Sequence, residues 1–484
     1  MPHRPTMTSS ASATGPPPKK PSQKPLARLG MKVQSPAWLM RREGMDHQLP
    51  RSTTGQEERY DRNRIEAGCR RDESERRLGP ARLRDAVAFQ RQPVETLVRR
   101  RRMDGSLFQL TSVVAGLMLV VGAPDLAFDV LHAPPGTYLT GVANRRILPV
   151  LSENCVLTLD GEAHRQRRRE LAPLFHGDGL NTIAPVMREL AGREVEGWPL
   201  GRPFAVLPRM RALTLSIAVR LILGIENSEC VAQVERHLRR AVRPYSMLSG
   251  VAALSRLGSV SPQAALERGH RAFAHGLAES VRCRREDPGV EASGPELLGP
   301  EEVFSLLLAA RETTAAAVAW AIELLAWSPQ AAAAVAREPA GSQRPSLDAV
   351  IWESLRLRPP LVDIVRQPVG SVRLGGRKIP AGTLLLIPPP LIHREAATEE
   401  RDRFDMARFL GHPPDPHTWL PFGGGERRCL GASLAMLELR EILPQIIDRF
   451  HLLPTGSEPE RPRLYGTALV PAAGACVVLS QRRR

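Results

Sequence analysis

The chain has 484 residues, of which 42% are apolar and 24% are charged. These proportions are ordinary for globular proteins, so they exclude collagen-like, wholly disordered and coiled-coil classes, and the length can bury a large core. Aromatic residues make up only 4%, so aliphatic side chains must fill that core. The formal net charge of +16 favours an acidic partner, an anionic membrane surface or nucleic acid without choosing between them.

The cysteines are few and widely spaced: Cys69, Cys155, Cys230, Cys283, Cys429 and Cys476. No CxxC motif occurs, which excludes zinc ribbons, thioredoxin motifs and CxxCH haem attachment. A chain this long and this poor in cysteine is not expected to carry a disulfide framework, so a cytoplasmic location is predicted. The N-terminus lacks the apolar stretch of a signal peptide, and we expect no membrane span.

The first 80 residues include a Pro- and Lys-rich stretch with nothing to bury, which predicts a disordered basic leader over residues 1–80. An alternative is that the true start lies downstream, for example at Met31 or Met45. A nucleic-acid arm or a membrane-surface tether is a third interpretation. We expect one folded domain over residues 81–484.

Within that domain the apolar patterns predict mainly helices with a smaller β-rich part. In chain order they indicate a hairpin over 107–123, a short helix over 124–131, a basic helix over 160–176, amphipathic helices within 180–285, a long helix from Pro300 to Trp327 and strands within 361–392. The long helix has Pro at its first position and acidic residues in its first turn, as helix starts often do.

The strongest motif is the run Pro-Phe-Gly-Gly-Gly-Glu-Arg-Arg-Cys-Leu-Gly over residues 421–431, which precedes an apolar helix from Ala432 to Leu443. Glycines allow tight bending and close approach to a flat ligand, and backbone N–H groups can stabilise a thiolate. Cys429 is therefore a candidate nucleophile or metal ligand. No histidine close in sequence offers itself as the base of a nucleophile, and an inert buried cysteine beside an ordinary loop is the third alternative.

This run resembles the haem-binding signature of the cytochrome P450 family, Phe-Gly-x-Gly-x-Arg-x-Cys-x-Gly. All six fixed positions match: Phe422, Gly423, Gly425, Arg427, Cys429 and Gly431. In that family the cysteine thiolate ligates the haem iron. The resemblance implies haem b with Cys429 as axial ligand, Arg427 as a propionate partner and Phe422 packed beside the sulfur.

A second motif, Glu353-Ser-Leu-Arg356, places an acid and a base on one helix face. Alone it carries little weight, because such pairs are common on surfaces and contribute little there. It resembles the ExxR motif of the same family, which implies a buried structural pair joined by Arg408. Met406-Ala407 stands where the family more often has Pro-Glu.

A third motif, Glu312-Thr313, lies inside the long apolar helix. The ordinary interpretation is a threonine bonded to the carbonyl one turn earlier beside a solvated glutamate. The resemblance instead implies catalytic roles, with Thr313 holding the water network at bound oxygen and Glu312 relaying protons. Ala310 replaces the usual glycine, and Arg311 stands where a neutral residue or histidine is common.

A fourth motif places His164 and Arg168 four residues apart on the basic helix, where a solvated basic face is the ordinary interpretation. The resemblance implies that His164, Arg168 and Arg366 bind the haem propionates, since Arg donors match carboxylate geometry. The remaining arginines, 165, 167 and 169, would then help to form a basic face that docks an acidic electron donor.

Taken together, the resemblance implies a P450 fold, mainly α with a smaller β-rich lobe, with haem between the long distal helix and the helix after the Cys loop. It implies a soluble bacterial-type monooxygenase that uses O2 and electrons from NAD(P)H, passed by a reductase and a ferredoxin or flavodoxin. The substrate is expected to be an apolar small molecule bound by segments within 125–160, 200–260 and 361–366, and no nucleic-acid partner is expected. The alternatives are a catalytically silent or peroxide-using haem protein of the same fold.

Overall fold

The computed structural model describes residues 80–225, 227–248, 268–269, 271–277, 298–339, 343–394 and 402–482. The predicted leader, apart from Pro80, lies outside the described residues, as do the later parts of the region of amphipathic helices within 180–285, mainly residues 249–267 and 278–285.

Helices make up most of the described chain, and many of them start at a proline, whose fixed φ suits the first helical turn. They are α1 (Pro80–Arg91), α2 (Pro93–Asp104), α3 (Pro124–Leu131), α4 (Gly141–Ile147), α5 (Gly161–Leu171), α6 (Asp178–Glu196), α7 (Leu207–Leu223), α8 (Ser228–Leu248), α9 (Pro300–Ala326), α10 (Pro329–Arg337), α11 (Pro345–Leu357), α12 (Pro389–Ile392) and α13 (Ala432–Ile447). Short 3-10 turns cover Ala172–Phe175, Met406–Phe409 and Gly425–Arg427.

The strands form a smaller β-rich part. They are β1 (Leu107–Ser112), β2 (Gly116–Val121), β3 (Tyr138–Leu139), β4 (Pro203–Ala205), β5 (Ile364–Pro368), β6 (Val372–Leu374), β7 (Arg377–Ile379), β8 (Leu385–Ile387), β9 (Phe450–Pro454), β10 (Pro462–Tyr465), β11 (Ala468–Pro471) and β12 (Cys476–Gln481). One sheet has the order β1-β2-β8-β5-β3, another has the order β4-β12-β9, and β6–β7 and β10–β11 are separate hairpins. The predicted hairpin over 107–123 is confirmed by the antiparallel register of β1 with β2.

The long helix α9 runs through the core, where it packs on α7, α13 and β11. Its Trp320 is fully buried, and the indole N–H donates to the Leu469 carbonyl at 2.9 Å. Between residues 302 and 326 only four side chains are not buried: Leu308, Ala309, Ala310 and Thr313. These four side chains form an accessible patch on an otherwise enclosed helix, although Leu308 and Ala310 also pack in part against the core.

In the described residues, α9 is also the one helix long and apolar enough to cross a membrane. Of the apolar window that meets this test, 72% is buried inside the protein, as expected for a core helix.

The apolar helix predicted from Ala432 to Leu443 is confirmed as α13, which continues through Pro444 to Ile447. Among the described cysteines, Cys155, Cys429 and Cys476 carry free thiols and Cys230 in α8 is disulfide-bonded.

Candidate active site

The Cys429 loop takes its shape from two glycines with positive φ. Gly423 and Gly425 have φ values of +66° and +65°, in the left-handed region that favours glycine. A Cβ on Gly425 would lie 1.9 Å from the Leu131 carbonyl oxygen. The loop then closes on itself, because the Cys429 amide donates to the Phe422 carbonyl at 2.8 Å.

We expect Gly425→Ala to lower the free energy of unfolding by about 2–5 kcal/mol, since left-handed strain and the overlap with Leu131 add together. The matched control is Gly376→Ala, where φ is +76° but nothing lies within 4 Å, so only about 1–2 kcal/mol of strain is expected. Equilibrium urea unfolding of the two variants measures the difference between these losses of unfolding free energy. Equal losses would show that the backbone at Leu131 moves aside for the new methyl group at little cost.

The Cys429 thiol is accessible to solvent although protein surrounds it closely. Burial raises the pKa of this thiol, while a hydrogen bond from the Gly431 backbone and the charges of Arg168 and Arg428 act to lower it. The described residues contain no cluster of three or more His, Cys, Asp or Glu side chains that could hold a metal.

Four cationic or ionisable side chains converge beside this loop. Burial, and then the charges of Arg427 and Arg168, lowers the pKa of His164 to about 3. Burial and the charge of Arg427 lower the pKa of Arg366 to about 10. The His164 Nδ1 atom is buried and has no hydrogen-bond partner among the described residues, and the Glu426 carboxylate oxygen is 4.0 Å away.

Asp160 is a carboxylate that holds this cluster to the rest of the fold, and the sequence analysis did not single it out. Arg427 Nη2 donates to Asp160 Oδ1 and to the Leu159 carbonyl, each at 2.6 Å. Asp160 also accepts from the backbone amides of residues 140, 141 and 142. This half-buried carboxylate does not balance the positive charge of Arg168, Arg366 and Arg427, and the excess suits a ligand with carboxylates of its own, such as the haem propionates.

The other arginines of α5 are mostly engaged in ion pairs. Arg165 pairs with Glu162 at 2.8 Å, Arg169 pairs with Glu162 at 2.9 Å, and Arg167 pairs with Glu170 at 3.3 Å. These contacts neutralise much of the surface that was expected to be a strongly basic docking face.

The neighbouring side chains of Glu312 and Thr313 on α9 lie in different environments. The Thr313 hydroxyl donates to the Ala309 carbonyl at 2.7 Å, as in the ordinary interpretation of this motif. Glu312 is not solvated, because it is buried and accepts hydrogen bonds from Arg211 Nε at 2.8 Å and from Arg311. Arg211, about 100 residues earlier on α7, was missed because nothing in its local sequence marks it.

The Glu353, Arg356 and Arg408 side chains are brought together. Arg356 makes a two-pronged contact to Glu353, with Nε–Oε2 at 2.6 Å and Nη2–Oε1 at 2.8 Å, and Glu353 is fully buried. Arg408 Nε lies 3.5 Å from Glu353 Oε2, and the Asp405 amide donates to Oε1 at 3.0 Å. This geometry joins α11 to the segment before the Cys loop.

A sequence profile of the cytochrome P450 family matches residues 300–474. Cytochrome P450 135B1 of Mycobacterium tuberculosis is 33% identical over 418 residues, which cover 81% of this chain and 88% of that relative. The chain is a member of the cytochrome P450 family. Cytochrome P450 138 of the same organism is 32% identical over 436 residues, which cover 84% of this chain and 97% of the relative.

Solved P450 structures share the fold. Cyanobacterial CYP120A1 with bound retinoic acid superimposes with a TM-score of 0.67 at 22% identity, covering 80% of this chain and 94% of that one. CYP175A1 from Thermus thermophilus gives 0.66 at 23% identity, covering 83% and 98%. The predicted fold class is confirmed, and this P450 is a haem-thiolate monooxygenase whose haem takes a cysteine thiolate as axial ligand.

The residues of this P450 fit that group. The accessible thiol of Cys429, the glycines that bring the loop close to Leu131, and the partnerless Nδ1 of His164 are features a haem with two propionates would use. Cys429 would ligate the iron, and His164, Arg168, Arg366 and Arg427 would face the propionates; these assignments remain predictions.

A further buried acid joins the two helices of the haem site of this P450. Glu438 on α13 is hydrogen-bonded to Thr314 on α9, and its Oε2 atom has no partner among the described residues. Burial raises the pKa of Glu438 to about 8. The side chain therefore stays protonated in the folded protein at neutral pH.

This shift predicts a pH dependence of stability. In the unfolded chain Glu438 loses its proton above its ordinary pKa of 4.5, whereas the folded protein keeps it up to about pH 8. The stabilising contribution is therefore complete below pH 4.5 and is lost as pH rises to about 8. We expect urea unfolding to show a smaller loss between pH 5 and pH 8 for Glu438→Gln than for wild type. Glu441→Gln, on the same helix and paired with Arg188, is the control that should behave like wild type.

Proposed function

We propose that this P450 inserts one oxygen atom of O2 into an apolar small molecule, with electrons from NAD(P)H passed by a reductase and a ferredoxin or flavodoxin in the cytoplasm. The observation that carries the proposal is the accessible patch of α9, in which apolar Leu308, Ala309 and Ala310 adjoin the hydroxyl of Thr313. Bound haem supplies the activation of O2 at thiolate-ligated iron. The protein residues bind the substrate, exclude water and deliver protons.

Thr313 is suited to accept a hydrogen bond in this patch. Its own proton is committed to the Ala309 carbonyl, so the hydroxyl oxygen offers only lone pairs to a neighbouring donor. A donor such as an ordered water would be held there. Glu312, one residue earlier, accepts hydrogen bonds from both Arg211 and Arg311. Its carboxylate would carry protons only after it breaks the hydrogen bond to one of these guanidinium groups.

The apolar class of the substrate is supported by the aliphatic side chains of the patch. An acidic electron donor is supported by two exposed arginines, Arg428 in the Cys loop and Arg440 on α13. Arg440 is paired with Asp348 at 2.7 Å, like the α5 arginines with their glutamates, but 44% of its side chain stays exposed.

The test is reconstitution with a ferredoxin, its reductase and NADPH, in parallel with hydrogen peroxide alone, against a panel of apolar compounds. We expect product to require the reductase chain. Thr313→Ala is expected to lower product formed per NADPH roughly 10- to 100-fold at similar NADPH consumption, because proton delivery contributes factors of about 10² or more. Thr313→Ser keeps the hydroxyl and should stay near wild type.

The alternatives give different outcomes in the same experiment. Product formed as fast with peroxide alone, and insensitive to Thr313→Ala, would identify a peroxide-using enzyme. Haem protein that binds the panel compounds but forms no product by either route would identify a catalytically silent member of the fold.

A further inference from the structure

The C-terminal end of α11, the helix that carries Glu353 and Arg356, is capped by two consecutive side chains from elsewhere in the chain. The last carbonyls of a helix have no partner within it. Arg394 Nη2 donates to the Leu357 carbonyl at 2.7 Å, and His393 Nδ1 lies 2.8 Å from the Arg356 carbonyl. The dipeptide 393–394 therefore satisfies two of these carbonyl groups.

The hydrogen-bond partners of His393 determine which of its two ring nitrogens carries the proton. A carbonyl oxygen can only accept, so Nδ1 must carry the hydrogen that the Arg356 carbonyl receives. The Leu420 amide donates to Nε2 at 2.8 Å, so Nε2 must present its lone pair. The ring is only 4% exposed, and burial with the charges of Arg394 and Arg356 lowers its pKa to about 3. His393 is thus a neutral imidazole in one fixed tautomer.

Leu420 is the point at which the Cys loop begins. Its carbonyl accepts from the Gly423 amide at 3.1 Å, and the Phe422 carbonyl accepts from the Cys429 amide at 2.8 Å. The preceding residue, Trp419, donates its indole N–H to the Trp352 carbonyl of α11 at 3.1 Å. A short series of hydrogen bonds thus connects the end of α11, through one imidazole, with the loop that carries the thiolate.

We propose that His393 is a positioning residue for the Cys429 loop, whose neutral imidazole joins the end of α11 to Leu420 and thereby sets the place of the thiolate. Both ring nitrogens are used inside the protein, so the side chain has none to offer to substrate or oxygen. The inference depends on thiolate ligation by this family member and is independent of which substrate or electron donor the enzyme uses.

Three variants of the haem-loaded protein separate positioning from general stability. His393→Phe keeps a ring and removes both hydrogen bonds, whereas His393→Gln keeps one donor and one acceptor. Arg394→Met removes the other capping side chain, which donates to the Leu357 carbonyl and makes no hydrogen bond to Leu420.

The readouts are the reduced, carbon monoxide-bound Soret spectrum, the haem midpoint potential and the thermal midpoint. For His393→Phe we expect a several-fold rise in the blue-shifted, thiol-type share of the Soret band and a changed potential, and His393→Gln should restore most of both. Arg394→Met should lower the thermal midpoint while the band shares stay as in wild type. A His393→Phe protein with a wild-type spectrum and potential, or an Arg394→Met protein with the same spectral change, would overturn the proposal.

A second measurement uses the unaltered enzyme and does not depend on how the variants fold. In the ferrous carbonyl form, which is diamagnetic, ¹⁵N-histidine labelling reports the tautomer of each ring, and His393 is assigned by the resonance that His393→Gln lacks. We expect the Nδ1–H neutral form to persist from pH 8 to pH 6. An Nε2–H tautomer or a cationic ring within this range would contradict the proposed bridge.

Discussion

Cys429→Ala is expected to abolish the red-shifted Soret band of the reduced, carbon monoxide-bound protein completely. That band requires a thiolate on the iron, and Cys429 is the accessible thiol at the start of α13 on the loop that matches the family signature. Cys155→Ala is the matched control, because Cys155 is also a free thiol but is fully buried beside Ser152 and Thr158. This control should keep the wild-type band.

The same spectrum of wild-type protein has two further informative outcomes. A blue-shifted band would mean that haem binds while the sulfur is protonated or displaced, which favours the catalytically silent alternative. A red-shifted band that persisted in Cys429→Ala would show that Cys429 is not the thiolate ligand of the iron.

Arg356→Leu is expected to lower the free energy of unfolding by about 3–5 kcal/mol, because it leaves the carboxylate of Glu353 buried with its main partner removed. Arg440→Leu is the control, since Arg440 makes a similar 2.7 Å contact to Asp348 but both side chains are partly exposed, at 44% and 28%. Its loss is expected to be about 0–1 kcal/mol.

Equilibrium urea unfolding of apo and haem-loaded protein measures both variants. Equal losses would mean that burial does not determine the strength of these ion pairs in this fold. A large loss for Arg356→Leu in the apo protein as well would show that the pair stabilises the fold itself, as expected of a structural group.

The elements that depend on residues close together in the chain could be predicted from local sequence patterns. The β1–β2 hairpin, α3 and α9 could be predicted because proline starts, apolar periodicity and turn residues act over a few positions. The Cys loop could be predicted because its glycines, arginine and cysteine occupy fixed spacings within eleven residues.

The remaining parts of the site depend on contacts between distant segments. Arg211 meets Glu312 across about 100 residues, and Asp160 meets Arg427 across about 270. His393 reads in sequence as one polar residue after an apolar run, and only the fold places it between Arg356 and Leu420. Charge and residue type gave no sign of these pairings, because an isolated Asp, Arg or His is usually a solvated surface residue.

The contacts of Asp160 have a thermodynamic consequence. Its carboxylate holds both Arg427, the predicted propionate partner, and the backbone at residues 140–142, inside a segment predicted to bind substrate. We therefore expect a change that stabilises this arrangement of residues 140–142 to favour haem binding, and by reciprocity we expect bound haem to favour the arrangement to the same degree. One side chain would thus couple cofactor loading to the conformation of a segment predicted to bind substrate.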